Sequence, residues 1–315
     1  MMRKRSDNRS AEVVVIGAAC LDIKGRLPGD TIAGTSNAGD IRISVGGCAR
    51  NIAENLARLG TSTAMLSVTC GDDFGQSIVR QTERAGVDTD HMLIDCDHHS
   101  AAYIALIGNR GQLLLGVDDT EAIVALTPEY IADHAELIAG ARIVVIDANV
   151  PLETTRALLA ICQAAEVPVA IDPVAFSPAI RYRDLIGEFY LVVPNVVEAE
   201  ALTGVAITSV PQGIAAAKHL IARGVEIAII TMSDSGVVYA TPTTSGYVPS
   251  IEVEVVDPTG AGDALTAAVV YALLNDIPID EAVRLGVSAA TLTLESAETV
   301  RQDLSLESLY AQLVI

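Results

Sequence analysis

Val13-Val14-Val15-Ile16-Gly17-Ala18-Ala19-Cys20-Leu21-Asp22 runs from four consecutive β-branched residues into a small-residue turn and a carboxylate. A β-branched run without polar alternation reads as a strand covered on both faces, as in a parallel sheet. The neighbouring stretches keep that reading. Cys48 to Leu59 carries Ala49, Ile52, Ala53 and Leu56 at helical spacing; Thr63 to Val68 is strand-like and Phe74 to Ala85 helical. The rhythm resumes with strands near Ile143–Asp147, Pro168–Asp172, Tyr190–Pro194 and Glu226–Thr231. Helices over Leu152–Ala165 and Ile214–Ala222 fit between them, and beyond Asp257 the chain reads as almost wholly helical. This alternation predicts an α/β fold, a central and mostly parallel sheet flanked by helices on both faces.

Two stretches break the rhythm. Residues 23–45 are rich in Gly, Thr and Ser and end in the alternating Ile41-Arg42-Ile43-Ser44-Val45, and residues 101–117 read as two strands around Gly108-Asn109-Arg110-Gly111. Both predict antiparallel strands outside the main sheet, a small β lid over the strand ends where open α/β sheets bind ligands. No repeat, low-complexity tract or charged linker divides the chain, so residues 11–315 read as one domain and residues 1–10 as a flexible tail.

Composition narrows the partners. Of 315 residues, 50% are apolar and 19% charged, which places the chain among globular proteins that bury a large core. Forty acidic against twenty basic residues give a formal charge of −20, a field that repels nucleic-acid backbones and anionic membrane surfaces. With no Trp, three Phe and eight Tyr, there is no base-stacking platform either. The five cysteines, Cys20, Cys48, Cys70, Cys96 and Cys162, show no close pairing, and the apolar run from Val13 is broken by Asp22 and Lys24. The expectation is a cytoplasmic protein with free thiols and no membrane span.

The segment richest in chemistry is Asp257-Pro258-Thr259-Gly260-Ala261-Gly262-Asp263, which opens the apolar helical run Ala264 to Leu274. Small residues let the backbone approach a ligand and aim free amides at it, and a helix start adds positive potential for an anion. A carboxylate closing such a loop can take a proton from a group that attacks a phosphorus. Read alone, the bland alternative is that Asp263 is a favourable first-turn acid and the glycines serve a tight turn. Gly46 and Gly47 precede a second helix with Asn51 about one turn in, where an amide can grip a hydroxyl; alone, this is also an ordinary Gly turn with an exposed Asn. Asp22 follows the first strand, where ligands sit in this architecture, and alone it reads equally well as a loop residue.

Together, in this order and at these distances, the three segments resemble the ribokinase-like, phosphofructokinase-B-type carbohydrate kinases, over essentially residues 12–295. The resemblance implies ATP-dependent phosphorylation of a hydroxyl on a small sugar-like substrate. It implies that Asp22, Gly46, Gly47 and Asn51 hold the substrate, that Gly260, Ala261 and Gly262 cradle the transferred phosphate, and that Asp263 is the catalytic base. Asn195 to Glu198 resembles the family's N-x-x-E element, with Glu198 organising Mg²⁺, for which one or two oxygen ligands suffice. Thr231, Ser233 and Gly236 fall in its nucleotide loop, although Ser233 stands where Gly is usual and Val193 where many relatives carry Lys. Asp257 and Thr259 would help form a monovalent cation site, with K⁺ as the candidate. Residues 46–60, 195–200 and 113–118 resemble the branch that phosphorylates the ribose 5′-hydroxyl of a C-nucleoside, which points Tyr103 toward the base. A homodimer through the lids is implied in the same way.

For such a reaction an ordinary Asp263 pKa near 4 suffices, since the proton can leave late. His91, His98, His99, Asp95, Cys96 and Asp97 match no zinc spacing and read as a solvated loop. Cys48 reads as small-residue packing, and the absence of G-x-G-x-x-G argues against a dinucleotide-binding dehydrogenase. Two rival readings stand beside the C-nucleoside one: a kinase for another nucleoside or a free sugar, and a non-catalytic sensor that keeps the fold.

Overall fold

The computed structural model describes residues 11–95, 98–109 and 112–313. The expected tail 1–10, Cys96 and Asp97 of the histidine-rich loop, and Arg110 and Gly111 of the expected turn lie outside the described residues.

In chain order the strands are β1 (Val13–Ile16), β2 (Cys20–Arg26), β3 (Asp40–Gly46), β4 (Thr63–Leu66), β5 (Val68–Cys70), β6 (Leu93–Asp95), β7 (Ala102–Ile107) and β8 (Leu113–Asp119). They continue with β9 (Ile143–Asp147), β10 (Val169–Asp172), β11 (Leu191–Val192), β12 (Ile227–Thr231), β13 (Val237–Ala240) and β14 (Ser245–Val248). The helices are α1 (Cys48–Arg58), α2 (Asp73–Arg84), α3 (Pro128–Asp133), α4 (Ala135–Ala139), α5 (Leu152–Ala164) and α6 (Phe176–Tyr182). After them come α7 (Val196–Thr203), α8 (Val210–Ala222), α9 (Ala261–Leu274), α10 (Ile279–Leu294) and α11 (Leu306–Leu313).

The main sheet has eight strands in the order β14-β13-β12-β11-β10-β9-β1-β4. β1 pairs in parallel with β4 on one side and β9 on the other, Val13 facing Thr63 and Ile143. The chain first winds one way from β1 and then, from β9, the other way. The crevice at the carboxyl ends of β1 and β9 is therefore the topological switch point, where ligands bind in such sheets. Alternate residues of the buried strands feed two cores. Val14, Ile16, Val144 and Ile146 pack with Leu158 of α5 and Ala216 of α8, whereas Val13, Val15, Ile143 and Val145 pack with Ile52 and Leu56 of α1 and Leu265 and Val269 of α9. Burying both faces is what makes the four-residue runs uniformly apolar.

Three features depart from the expected layout. β13 and β14 add an antiparallel edge that the periodicity had not distinguished, because two four-residue strands around a Thr-Pro-Thr turn carry too little pattern. The strand expected over Thr63–Val68 breaks at Ser67, whose hydroxyl donates to the Gly17 carbonyl at 2.6 Å, and its second half pairs with β6 instead. The inserted strands form one four-stranded sheet, β3-β2-β7-β8, in which β2 and β7 run parallel, so it is mixed rather than antiparallel. β2 also begins at Cys20, which places Asp22 inside a strand rather than in a loop.

Asp147, at the end of β9, locks the switch point. Fully buried, it accepts backbone N–H groups from Ala18 at 2.9 Å, Ala49 at 3.1 Å and Asn149 at 3.0 Å, fixing the exit of β1 and the start of α1 together. Stranding those donors in the core is costly. Asp147→Ala is expected to destabilise the fold by roughly 3 kcal/mol in equilibrium urea unfolding, and a loss under about 0.5 kcal/mol would contradict this account.

Candidate functional site

The loop ahead of α9 reaches its helix through Gly260, which sits at φ 86°. A Cβ there would also lie 2.0 Å from the Thr299 carbonyl oxygen, so both backbone angle and space demand glycine. The first intrahelical bond runs from the Ala264 amide to the Gly260 carbonyl, leaving the amides of Ala261, Gly262 and Asp263 outside the helical ladder with no side-chain cap. An anion is the natural partner for such a terminus.

Asp263, half-buried in the first turn, accepts a hydrogen bond from Asn51 Nδ2 at 2.8 Å. The Asn51 Oδ1 in turn accepts from Arg50 Nη1 at 3.0 Å, which orients the amide with its donor toward the carboxylate. Asn51 is 3% exposed, so it is not the exposed helical Asn of the alternative reading.

Ligand atoms of Asp263, Asp172 at the end of β10, and Cys48 at the start of α1 lie within 4.8 Å of one another. Among the described residues no other group of three His, Cys, Asp or Glu side chains converges in this way, the histidines of the loop included. Burial and the neighbouring Asp172 push Asp263 up to about 7, so its expected ordinary value is corrected. Burial likewise pushes Asp172 up to about 6, and burial, with Asp172 second, pushes Glu198 up to about 8. Cys48 stands in the site rather than serving only as packing; burial and the carboxylates around it push its thiol well up, so it is no nucleophile. Glu198 is oriented by a capping box: Asn195 N donates to its Oε2 at 2.9 Å, and its own N donates to Asn195 Oδ1 at 3.0 Å. Like-charged oxygens crowded in a buried space suit a hard divalent cation, which would relieve their repulsion.

Asp22 is 4% exposed and lies flat on the backbone of β3, where a Cβ on Gly46 would be 2.2 Å from its Oδ2. Gly47 caps α1 immediately behind. Tyr103 is the register partner of Asp22 across β2 and β7, so the phenol and the carboxylate share one face of the small sheet. Asn195 and Thr231 form a bridge between adjoining chain segments, which brings the two proposed nucleotide elements together. Ser233 sits at φ 49°, a left-handed angle that explains why glycine suits this position, and Gly236 follows at φ 85°.

Asp257 spends its carboxylate locally. Its Oδ1 accepts the Thr259 amide at 2.9 Å, and its Oδ2 accepts Lys24 Nζ at 2.8 Å, which ties β2 to the loop before α9. The hydrogen bonds and the ammonium hold Asp257 below its ordinary value despite burial. Sequence reasoning missed Lys24, Asp147 and Asp172 as site residues. The signal for the two aspartates was available, since each ends an apolar strand run on neighbouring parallel strands; nothing in the sequence pairs Lys24 with a residue more than two hundred positions away.

A doubly wound sheet whose strand ends converge on an anion-ready helix start and crowded carboxylates is built for phosphoryl transfer to a small molecule. Residues 10–304 match the pfkB family carbohydrate kinase profile, and the chain belongs to that family. Pseudouridine kinase of Escherichia coli (strain K12) is 34% identical over 295 residues, covering 93% of this chain and 94% of the relative. Guanosine-inosine kinase of Exiguobacterium acetylicum is 30% identical over 289 residues, covering 91% and 95%. In fold, Arabidopsis thaliana ribokinase, solved with ribose and ATP, superposes with a TM-score of 0.85 at 22% identity, covering 98% of this chain and all, 100%, of that one. The protein is thus a carbohydrate or nucleoside kinase with the ribokinase-like fold. No described helix is long and apolar enough to cross a membrane.

Carboxyls raised above their unfolded values contribute stability that is present at low pH and lost as pH rises through the folded values. With Asp172, Asp263 and Glu198 raised to about 6, 7 and 8, the ligand-free protein is expected to lose stability as pH rises from about 4, where the unfolded carboxyls ionise, to pH 8. Asp172→Asn removes the like charge acting on the other two and should flatten that slope in urea unfolding at the two pH values. An unchanged slope would show that the cluster does not titrate as described.

Proposed function

We propose that the protein transfers the γ-phosphoryl group of ATP to the ribose 5′-hydroxyl of a nucleoside, pseudouridine first among candidates. The observation that carries this reading is Asp263, held by Asn51 at 2.8 Å in the first turn of a helix whose leading amides have no side-chain cap among the described residues. Asp22, Gly46, Gly47 and Asn51 hold the sugar, and Tyr103 meets the base. Asp263 takes the hydroxyl proton on its carboxylate; a value near 7 makes it a stronger base than an ordinary Asp while leaving much of it ionised at neutral pH. The amides of residues 260–262 stabilise the charge on the transferred group. ATP lies along Thr231, Ser233, Gly236 and Asn195. Glu198 and Asp172 would hold Mg²⁺, which neutralises phosphate charge when bound. A monovalent cation such as K⁺ near Thr259 would rely on backbone carbonyls, since Asp257 already carries the Lys24 ammonium.

The small sheet acts as the lid. Its register puts Asp22, Lys24 and Tyr103 on one face, and Ile41, Ile43, Ile104, Leu115 and Val117 on the other, where they are 42–69% exposed. An apolar outer face of this kind suits a homodimer through the lids. The free thiols Cys20, Cys48 and Cys162 agree with a cytoplasmic location.

Turnover of Mg·ATP against pseudouridine, uridine, inosine, guanosine, adenosine, ribose and fructose tests the substrate. Preference for pseudouridine supports the reading; preference for inosine or a free sugar keeps the kinase and replaces the substrate; binding without turnover indicates a sensor. Asp263→Asn is expected to fold normally and lose at least about a hundredfold in kcat, and near wild-type turnover would remove Asp263 as the base. For the dimer, Ile43→Asp should shift the mass by light scattering from two chains to one; a wild-type monomer at micromolar concentration refutes the lid interface.

A further inference from the structure

A cavity of about 540 Å³ opens between α1, α2 and residues 298–302, and contains none of Asp22, Asp172, Glu198 and Asp263. Its walls carry Arg50, Arg58, Arg80 and Arg84 against only two carboxylates, Glu54 and Glu298. In a chain of formal charge −20 this is a local inversion of sign. Glu54 is already shared, accepting from both Arg50 and Arg58. Arg80 and Arg84 lie one turn apart on α2, where side chains share a face, and among the described residues neither has a carboxylate partner; Arg80 reaches only Gln76 Oε1 at 3.3 Å. Thr299, in the same wall, is 3% exposed. Planar guanidinium forks that lack anions match the oxygens of a phosphoryl group.

We propose that this cavity is a regulatory site for a phosphoryl-bearing small molecule, distinct from the reaction centre. Two contacts connect it to that centre. Arg50 Nη1 donates to Asn51 Oδ1 at 3.0 Å, and Asn51 holds Asp263. The carbonyl of Thr299 stands against Gly260, at the start of the anion-binding loop. An anion that draws Arg50 toward the cavity loosens the Asn51 amide, and bound ligand therefore lowers kcat. This coupling rests on Asp263 as the base, whereas occupancy of the cavity does not.

Calorimetric titration of pyrophosphate, and in parallel of a nucleoside 5′-monophosphate, into the wild-type chain and into the double variant Arg80→Ala/Arg84→Ala tests the site. Both arginines are exposed on α2, so the variant is expected to fold and to keep its basal kcat. Anions that bind at the catalytic loop bind both proteins alike, which isolates the cavity in the difference. The expected result is at least about tenfold weaker binding to the variant, the scale of losing one charge-assisted hydrogen bond or more. Tighter binding of the nucleotide than of pyrophosphate, again lost in the variant, makes the ligand an organic phosphate; the reverse makes it an inorganic one. Equal affinity in the two proteins, or no binding to either, overturns the site. With substrates saturating, pyrophosphate should lower kcat only in the wild type; binding that is lost in the variant while kcat never responds overturns the coupling alone.

Discussion

Repulsion among buried carboxylates is the constraint around which the rest of this molecule is organised. Asp172, Asp263 and Glu198 are brought to one end of the sheet by three separate elements, and all three are pushed above their ordinary values. Such crowding is unfavourable in the empty protein and becomes favourable when positive charge arrives. The fold tolerates it because the framework around it is rigid: Asp147 staples β1, β9 and α1 through backbone amides, and two cores clamp the sheet from opposite faces. Stability is given up locally where binding will restore it.

The two-faced small sheet answers a related demand. A sheet that covers a polar site must offer polar groups inward, and period-two alternation then forces the intervening residues outward. Asp22, Lys24 and Tyr103 fall on one face, and Ile43, Ile104 and Val117 on the other.

Much of the architecture was legible because buried parallel strands leave continuous apolar runs, and β1, β9, β10 and β12 all did so. β13 and β14 were not, being short and antiparallel. The site was legible where chemistry and backbone geometry coincide: Gly260 and Asp263 are marked by a loop that only small residues can make. It was illegible where a side chain's role depends on tertiary neighbours. Asp22 reads as a loop residue until β2 is paired, Asp263 reads as an ordinary acid until Asp172 is placed beside it, and Lys24 reads as a surface charge until Asp257 is found opposite.

The Asn51–Asp263 hydrogen bond joins residues 212 positions apart, and Lys24–Asp257 joins residues 233 apart. Contacts this remote in sequence cannot form during most of the chain's synthesis, since at about 5–20 residues per second their later partners emerge roughly 10–50 s after the earlier ones. Until then α1 carries the buried Asn51 without the carboxylate it donates to, and β2 carries Lys24 without its counter-ion. A truncated product ending before α9 would therefore keep the strand ends of β1, β9 and β10 but leave the Asn51 amide with no Asp263 carboxylate to donate to.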